Sequence, residues 1–567
     1  MPYTSPVRDH RFILDHVVDF AAVAATERFA QATPDVVEAI LTEAGKLSDE
    51  VLAPLQRNGD LHPAVLENGI VRTSPGFAEG SRAIAEGGWV GVTADPAYGG
   101  MGLPVALATA INEMTAGACL SLNLCPVLSV GQIEALEAHA SDEIKARYLP
   151  KLISGAWTAT MNLTEPQAGS DVGALRTKAE PNGDGTYRIS GQKIYISWGD
   201  ADFAGNVCHL VLARLPDAPS GTRGISLFLV PKLIPDRDGK PGARNGLRVV
   251  SLEHKMGLHG SPTAVMEYDG ATGWMVGPEN GGMAAMFTMM NNARLAVGCQ
   301  GIGVAEAAFQ KALAYARERT QGKVSGTGAI VEHADVRRML TAMKADVFAA
   351  RAIALDCAVS MDMATATGDA AWDARAALLT PIAKAFGTDV GVRVADEGMQ
   401  VHGGMGFVEE TGAAQYFRDV RVTAIYEGTN GIQAMDLVAR KMSDDGEAMY
   451  RLLDEVEAVA EAARQDFPDL AEKVWAAAET LRETTEWLVG EGLDQRFPGA
   501  VPYLRAAARV LGGHYHLTAA MAAGEGPRVA LARFYIDRVL PEHGAALAQV
   551  RIGVAGLYDL SPDDLAA

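Results

Sequence analysis

Asn182-Gly-Asp-Gly-Thr-Tyr-Arg-Ile-Ser-Gly-Gln-Lys-Ile-Tyr-Ile-Ser197 is the stretch on which the fold turns. Asn-Gly and Asp-Gly supply the positive-φ positions of a tight turn, and the β-branched and aromatic residues that follow read as strands at Tyr187 to Ser190 and Lys193 to Ser197. Comparable runs, Cys208 to Arg214 and Gly224 to Val230, place an antiparallel sheet or barrel between about 156 and 282. Pro231 to Asn245, rich in Pro, Gly and charge, is the best candidate for a mobile loop.

Outward from this region the pattern is helical on both sides. From Ala21 to about Lys151 apolar residues recur at three- and four-residue spacing, as in Val36, Val37, Ile40, Leu41, Leu47 and Val51. Helical periodicity resumes near Met283 and runs to about Ser443, and an alanine-rich helical block follows from Glu447 to Leu540. The predicted class is α+β, mainly α. The units are an N-terminal extension (1–35), an N-terminal helical domain (36–158), a central β-domain (159–282), a C-terminal helical bundle (283–445) and an additional helical domain (446–567).

Composition fits this division. A length of 567 residues argues for several compact units, and 48% apolar with 21% charged residues excludes a disordered chain. The net charge of −21 repels nucleic acid and anionic lipid from most of the surface. Five scattered cysteines without a C-x-x-C pair fit free thiols in a reducing compartment. Charges interrupt the first twenty residues, so no secretory leader is read there, and no uncharged apolar run reads as a membrane span. A soluble cytoplasmic protein is expected.

The most informative chemistry lies in Ala424-Ile-Tyr-Glu-Gly-Thr-Asn-Gly-Ile-Gln433. Glu427 held among Ile425, Tyr426 and Ile432 would be partly desolvated, which raises its pKa and suits it to take a proton from a weak carbon acid. Gly428 allows close approach of a ligand, while Thr429 and Asn430 can cap a helix and leave its free N–H groups for an anion. Taken alone, a glutamate there is more often a solvated helix-start residue.

Three further segments change that reading: Met161-Asn-Leu-Thr-Glu-Pro-Gln-Ala-Gly-Ser-Asp171, Lys193-Ile-Tyr-Ile-Ser197 and Gln400-Val-His-Gly-Gly-Met-Gly-Phe407, with Arg418-Asp419 ahead of Glu427. In this order and spacing the chain resembles the acyl-CoA dehydrogenases over about residues 36 to 445. Within that family Pro2 to Phe12, His402 to Gly412 and the extra C-terminal block resemble the 3-methylmercaptopropionyl-CoA dehydrogenase branch.

The resemblance implies the acyl-CoA dehydrogenase fold: an N-terminal helical domain, a central β-barrel-like domain and a C-terminal four-helix bundle, with FAD at their junction, plus the additional helical domain. It implies that a base, matched by Glu427, removes the α-proton of an acyl-CoA thioester while hydride leaves the β-carbon for flavin N5, giving the trans-2-enoyl-CoA. The leading substrate is 3-methylmercaptopropionyl-CoA, yielding 3-methylthioacryloyl-CoA; the alternative is a general short- to medium-chain enzyme of β-oxidation. The Glu427 N–H and the FAD ribityl hydroxyl would bind the thioester carbonyl, where enolate charge develops. By the same matching Met161, Leu163, Thr164, Tyr195, Ser197 and Thr429 would hold the flavin, Arg319 its pyrophosphate, and Gln400, Gly403 and Gly404 the FAD of a neighbouring subunit. Ser170, Arg294, Tyr426 and Gly428 would contact substrate, electron-transferring flavoprotein would take the electrons, and the assembly would be a homodimer.

This chain departs from the family in places. Ser197 stands where the commoner residue is Thr, the chain after Arg319 is short and lacks an aromatic before Gly322, and Met405 replaces a common Asn. Arg294, in an otherwise apolar helix, needs either an acidic partner or a ligand, with nothing in the sequence to favour one. Gly301-Ile-Gly-Val-Ala-Glu306 reads as helix packing rather than a nucleotide loop. His254, His259, His333 and His402 lack metal-ligand spacing, so no metal is expected. A DNA-binding alkylation-response flavoprotein is the alternative from another class. Nineteen acidic against eleven basic residues from Glu447 onward oppose it, and no nucleic-acid partner is expected.

Overall fold

The computed structural model describes residues 3–236, 238–323 and 326–567. Pro2 of the N-terminal motif and Arg237 of the 231–245 stretch lie outside the described residues.

Helices dominate the N-terminal part, the longest being Val105–His139, whose backbone leaves helical geometry at Cys119. By length and composition this helix could cross a membrane, but 78% of its apolar window is buried inside the protein, as in a core helix. One feature of this part escaped the periodicity. Val65–Glu67 and Ile70–Arg72 form a hairpin through Asn68 and Gly69, both at positive φ (51° and 75°).

The central unit is a seven-stranded sheet in the order Thr158–Asn162, Val207–Ala213, Ser226–Pro231, Thr263–Val276, Tyr187–Ser197 and Lys178–Pro181, with Leu247–Leu252 also on Thr263–Val276. Most pairings are antiparallel; the exception is Thr158–Asn162 with Val207–Ala213, which is parallel. Val207–Ala213 and Ser226–Pro231 are buried at every residue, because both faces of the sheet are covered there. Tyr187–Ser197 is one continuous strand rather than two. It crosses Gly191, where a Cβ would lie 2.5 Å from Thr177 Oγ1, so only glycine lets the neighbouring backbone pass. The 231–245 stretch is a correction: instead of an open loop it carries the short hairpin Leu233–Pro235 with Pro241–Arg244. Asp236 closes it by accepting from the Asp238 and Lys240 amides, both at 2.9 Å.

The bundle consists of Gly282–Glu318, Ala334–Thr367, Ala370–His402 and the shorter Asn430–Ala439. Glycines bring its helices into backbone contact. A Cβ at Gly301 would meet Gly387 O at 2.4 Å, and one at Gly303 would meet Glu113 O at 2.3 Å. The Gly301-Ile-Gly303 segment therefore packs helices.

Six helices from Glu447–Ala463 to Glu542–Val550, one of them the four-residue Leu493–Arg496, form the last domain. Its Ala500–Ala523 helix lies on the bundle, with Arg509 paired to Asp346 at 2.6 Å and Tyr515 bonded to Asp356 at 2.5 Å. One hydrophobic core runs from the N-terminal helices through the bundle into this domain, and a second, smaller one fills the sheet. The Val7–His16 helix ties the ends together. Asp9 accepts from Arg528 at 2.8 Å and faces Arg351 at 3.6 Å, while Arg351 is fully buried against Glu113 (2.6 Å) and Glu306 (2.8 Å).

Candidate active site

Two of the predicted segments meet at the edge of the sheet. The Ile194 amide donates to Thr164 O at 2.9 Å, and Lys193 Nζ donates to Leu163 O at 3.0 Å and to Glu165 Oε1 at 2.9 Å. Glu165 also accepts from the amides of Arg176 (2.7 Å) and Thr177 (3.0 Å). Burial raises its pKa, but Lys193 and these donors outweigh that and hold it down at about 2. The Lys193–Glu165 pair, which the sequence reading passed over, thus locks Leu163 and Thr164 beside Tyr195 and Ser197. Tyr195 is 62% exposed and adopts φ 60°, an uncommon conformation for an aromatic residue and one that marks functional sites.

Glu427 sits in a turn of two left-handed residues, with φ 56° at Glu427 and 82° at Gly428. Each carbonyl of the turn has its own buried donor: Gln433 Nε2 reaches Glu427 O at 3.0 Å, and Lys384 Nζ reaches Gly428 O at 3.0 Å. Thr429 Oγ1 then caps the Asn430–Ala439 helix by accepting from the Ile432 amide at 3.3 Å. Glu427 Oε2 is buried and has no hydrogen-bond partner, and no acceptor among the described residues takes the Glu427 N–H. Burial pushes the carboxyl up to about 7, against the pull of Arg294 and Lys384. A carboxyl tuned to neutrality, with a free oxygen and a free amide beside it, is equipped to take a proton from a carbon acid while donating to a developing oxyanion.

A cavity of about 90 Å³ opens between the Val105–His139 and Gly282–Glu318 helices, walled by apolar residues including Val92, Val130, Leu295 and Met361. Its polar lining includes Asn123. That residue is linked to the turn, because Gln300 Nε2 donates to Asn123 Oδ1 (3.0 Å) and Tyr426 OH donates to Gln300 Oε1 (2.5 Å).

The remaining predicted residues fall into two groups. Arg294 is buried and pairs with Asp436 at 3.6 Å, so it has the acidic partner, and its charge also reaches Glu427. Its Nε stays without a partner. Ser170, Arg319, Gln400, Gly403 and Gly404 are exposed, and Met161, Leu163, Thr164, Ser197, Tyr426, Gly428 and Thr429 are half-buried. Gly403 has φ 60° and nothing within 4 Å of an added Cβ, so its backbone lies open to a ligand.

Sequence models of four domains match the chain in succession. They are the acyl-CoA dehydrogenase N-terminal domain over residues 37–156, its middle domain over 160–271, its C-terminal domain over 280–442, and an acetyl-CoA dehydrogenase C-terminal-like domain over 452–561. The chain belongs to the acyl-CoA dehydrogenase family. A 3-methylmercaptopropionyl-CoA dehydrogenase of Ruegeria pomeroyi is 45% identical over 520 residues, 89% of this chain and 88% of that protein. A butyryl-CoA dehydrogenase of Syntrophomonas wolfei is 33% identical over 98% of both chains. The crystal structure of Caenorhabditis elegans ACDH-11 in complex with C11-CoA superposes with a TM-score of 0.80 at 20% identity, covering 99% of this chain and 96% of that one, which shows the shared fold.

This acyl-CoA dehydrogenase is thus a flavin-dependent oxidoreductase acting on CH–CH bonds, with FAD as its cofactor. The residues present fit that group. Tyr195 offers an open aromatic face beside Thr164 and Ser197, Arg319 offers an exposed guanidinium fork for diphosphate, and Gly403 offers uncovered backbone.

Proposed function

We propose that this enzyme converts a short or medium acyl-CoA, with 3-methylmercaptopropionyl-CoA the leading substrate, to its trans-2-enoyl-CoA, with Glu427 as the base. The observation that carries the reading is the Glu427 carboxyl, lifted to about 7 and left with an unpartnered oxygen in a strained turn. The relative from Ruegeria pomeroyi, at 45% identity, supports the substrate.

In this mechanism the Glu427 N–H donates to the thioester carbonyl oxygen, which gains charge as the α-proton leaves. Glu427 Oε2 receives that proton. The apolar cavity takes the acyl chain, and burial of the turn keeps the base weakly solvated and therefore basic. Met161, Thr164, Tyr195 and Ser197 hold the flavin face, and Arg319 the pyrophosphate, so that the β-carbon is aligned. FAD, when bound, supplies the acceptor for the hydride at flavin N5, and electron-transferring flavoprotein is the onward acceptor. The protein acts in the cytoplasm as a homodimer; Phe407, 86% exposed next to Gly403 and Gly404, is the kind of surface a second subunit would cover.

Anaerobic titration of the FAD-loaded enzyme with a panel of acyl-CoAs tests the reading. Bleaching of the flavin absorbance should be fastest with 3-methylmercaptopropionyl-CoA, and Glu427→Gln should abolish it. Equal bleaching by a long-chain acyl-CoA would overturn the substrate assignment, and a tetramer by light scattering would overturn the dimer.

A further inference from the structure

Lys384 is fully buried on the Ala370–His402 helix, yet it forms no ion pair among the described residues. Its ammonium spends two hydrogen bonds on the turn that carries the base, one to Gly428 O at 3.0 Å and one to Asn430 Oδ1 at 2.9 Å. Asn430 is gripped from the same helix: its Nδ2 donates to Asp389 Oδ1 at 2.7 Å and to Thr388 Oγ1 at 3.0 Å. A buried, unpaired lysine is costly, and a structural need for two donors could be met by a neutral side chain. What a neutral side chain would not supply is positive charge beside the carboxylate.

Among the described residues, two cations act on Glu427. Arg294 faces it from the Gly282–Glu318 helix, and Lys384 from the Ala370–His402 helix. Tyr426 adjoins it on its own turn and Asp389 lies beyond Lys384. Behind Arg294 stands Asp436, which also accepts from Arg440 at 2.5 Å, and behind Asp389 stands Arg505 of the last domain at 3.2 Å. Both cations act on Glu427, Arg294 from beside Asp436, which it shares with Arg440, and Lys384 with no carboxylate within ion-pair distance among the described residues.

We propose that Lys384 is the positioning residue of the base: it holds Gly428 and Asn430 so that Glu427 stays in its left-handed turn, and its charge favours the carboxylate form that accepts the proton. This rests on the reading of Glu427 as base, and the test separates the two. Lys384→Met removes both charge and donor; Lys384→Gln keeps a donor and removes the charge.

In the full-length FAD-loaded protein, with 3-methylmercaptopropionyl-CoA or butyryl-CoA and an artificial electron acceptor, both variants should retain flavin and KM. The ascending limb of the kcat–pH profile should move alkaline by about one unit in each, since loss of a neighbouring cation disfavours the ionised carboxylate. Plateau kcat should fall about tenfold or more in Lys384→Met and less in Lys384→Gln, because misplacement of a reacting group is the larger penalty. An unmoved limb in both variants overturns the proposal, and so does loss of FAD or of fold in both, which would make Lys384 a plain structural lysine. Glu427→Gln run alongside is the arbiter. If it still bleaches its flavin at the wild-type rate the base assignment fails; if it is dead while the Lys384 variants keep the wild-type limb, only the role of Lys384 fails.

Discussion

Replacing Glu427 with glutamine should make the folded enzyme more stable while removing its turnover. The carboxyl titrates at 4.5 in its ordinary state and at about 7 in the fold, so between those values the folded protein binds a proton that the unfolded chain has lost. Stability therefore falls as pH rises through that window, and above it the folded state carries the whole cost of an ionised, poorly partnered carboxylate. A shift of that size corresponds to about 3 kcal/mol as an upper bound. Glu427 keeps partial solvent contact, which reduces the gain to about 1–3 kcal/mol at pH 8, with roughly half of it remaining at pH 5.5. Glutamine keeps the shape and adds no charge. Chemical denaturation of both FAD-saturated proteins at the two pH values measures the difference directly. If Glu427→Gln is no more stable than wild type at pH 8, or if its advantage is the same at both pH values, the carboxyl is not destabilised as argued.

The locked pair at the sheet edge is open to the same kind of measurement. Lys193→Met leaves Glu165 buried and short of its cation, and should cost about 3 kcal/mol, read as a lower denaturation midpoint together with loss of FAD on gel filtration. Gly301→Ala forces a methyl to within 2.4 Å of the Gly387 carbonyl and should cost about 1–3 kcal/mol. A midpoint equal to wild type would show that the two helices can separate freely. Thr429→Ala removes the cap of the helix after the base and should cost about 1 kcal/mol. Its kcat should fall more than its KM rises; the opposite pattern in steady-state kinetics would detach the cap from catalysis.

Helix and strand order were legible because they rest on local period. Tyr187–Ser197 announces itself through its turn residues and β-branched alternation, and Glu427 through the motif around it. Asn68-Gly69 carried the same turn signal, but the strands it joins are three residues each, too short for alternation to register. Lys193 and Lys384 were illegible for another reason. A lysine in a sequence defaults to solvent, and only packing of distant elements shows these two to be fully buried. Arg294 illustrates the middle ground. Its need for a partner could be read from the apolar helix around it, while Asp436 as that partner depends on how two helices pack.

The contact between Asp9 and Arg528 also sets an order on synthesis. The two residues are 519 positions apart, so the charge cluster around Arg351 is sealed only once Arg528 has left the ribosome. A nascent chain stopped before the last domain would keep its catalytic residues but leave the bundle's face toward Ala500–Ala523 uncovered, with Asp346 left to Arg393 and Asp356 to Arg375, without Arg509 and Tyr515. Such a fragment exposes apolar surface of the kind that chaperones and proteases recognise. The last domain therefore couples closure of this region to synthesis of the Ala500–Ala523 helix and of Arg528: a chain that has not reached them leaves it open.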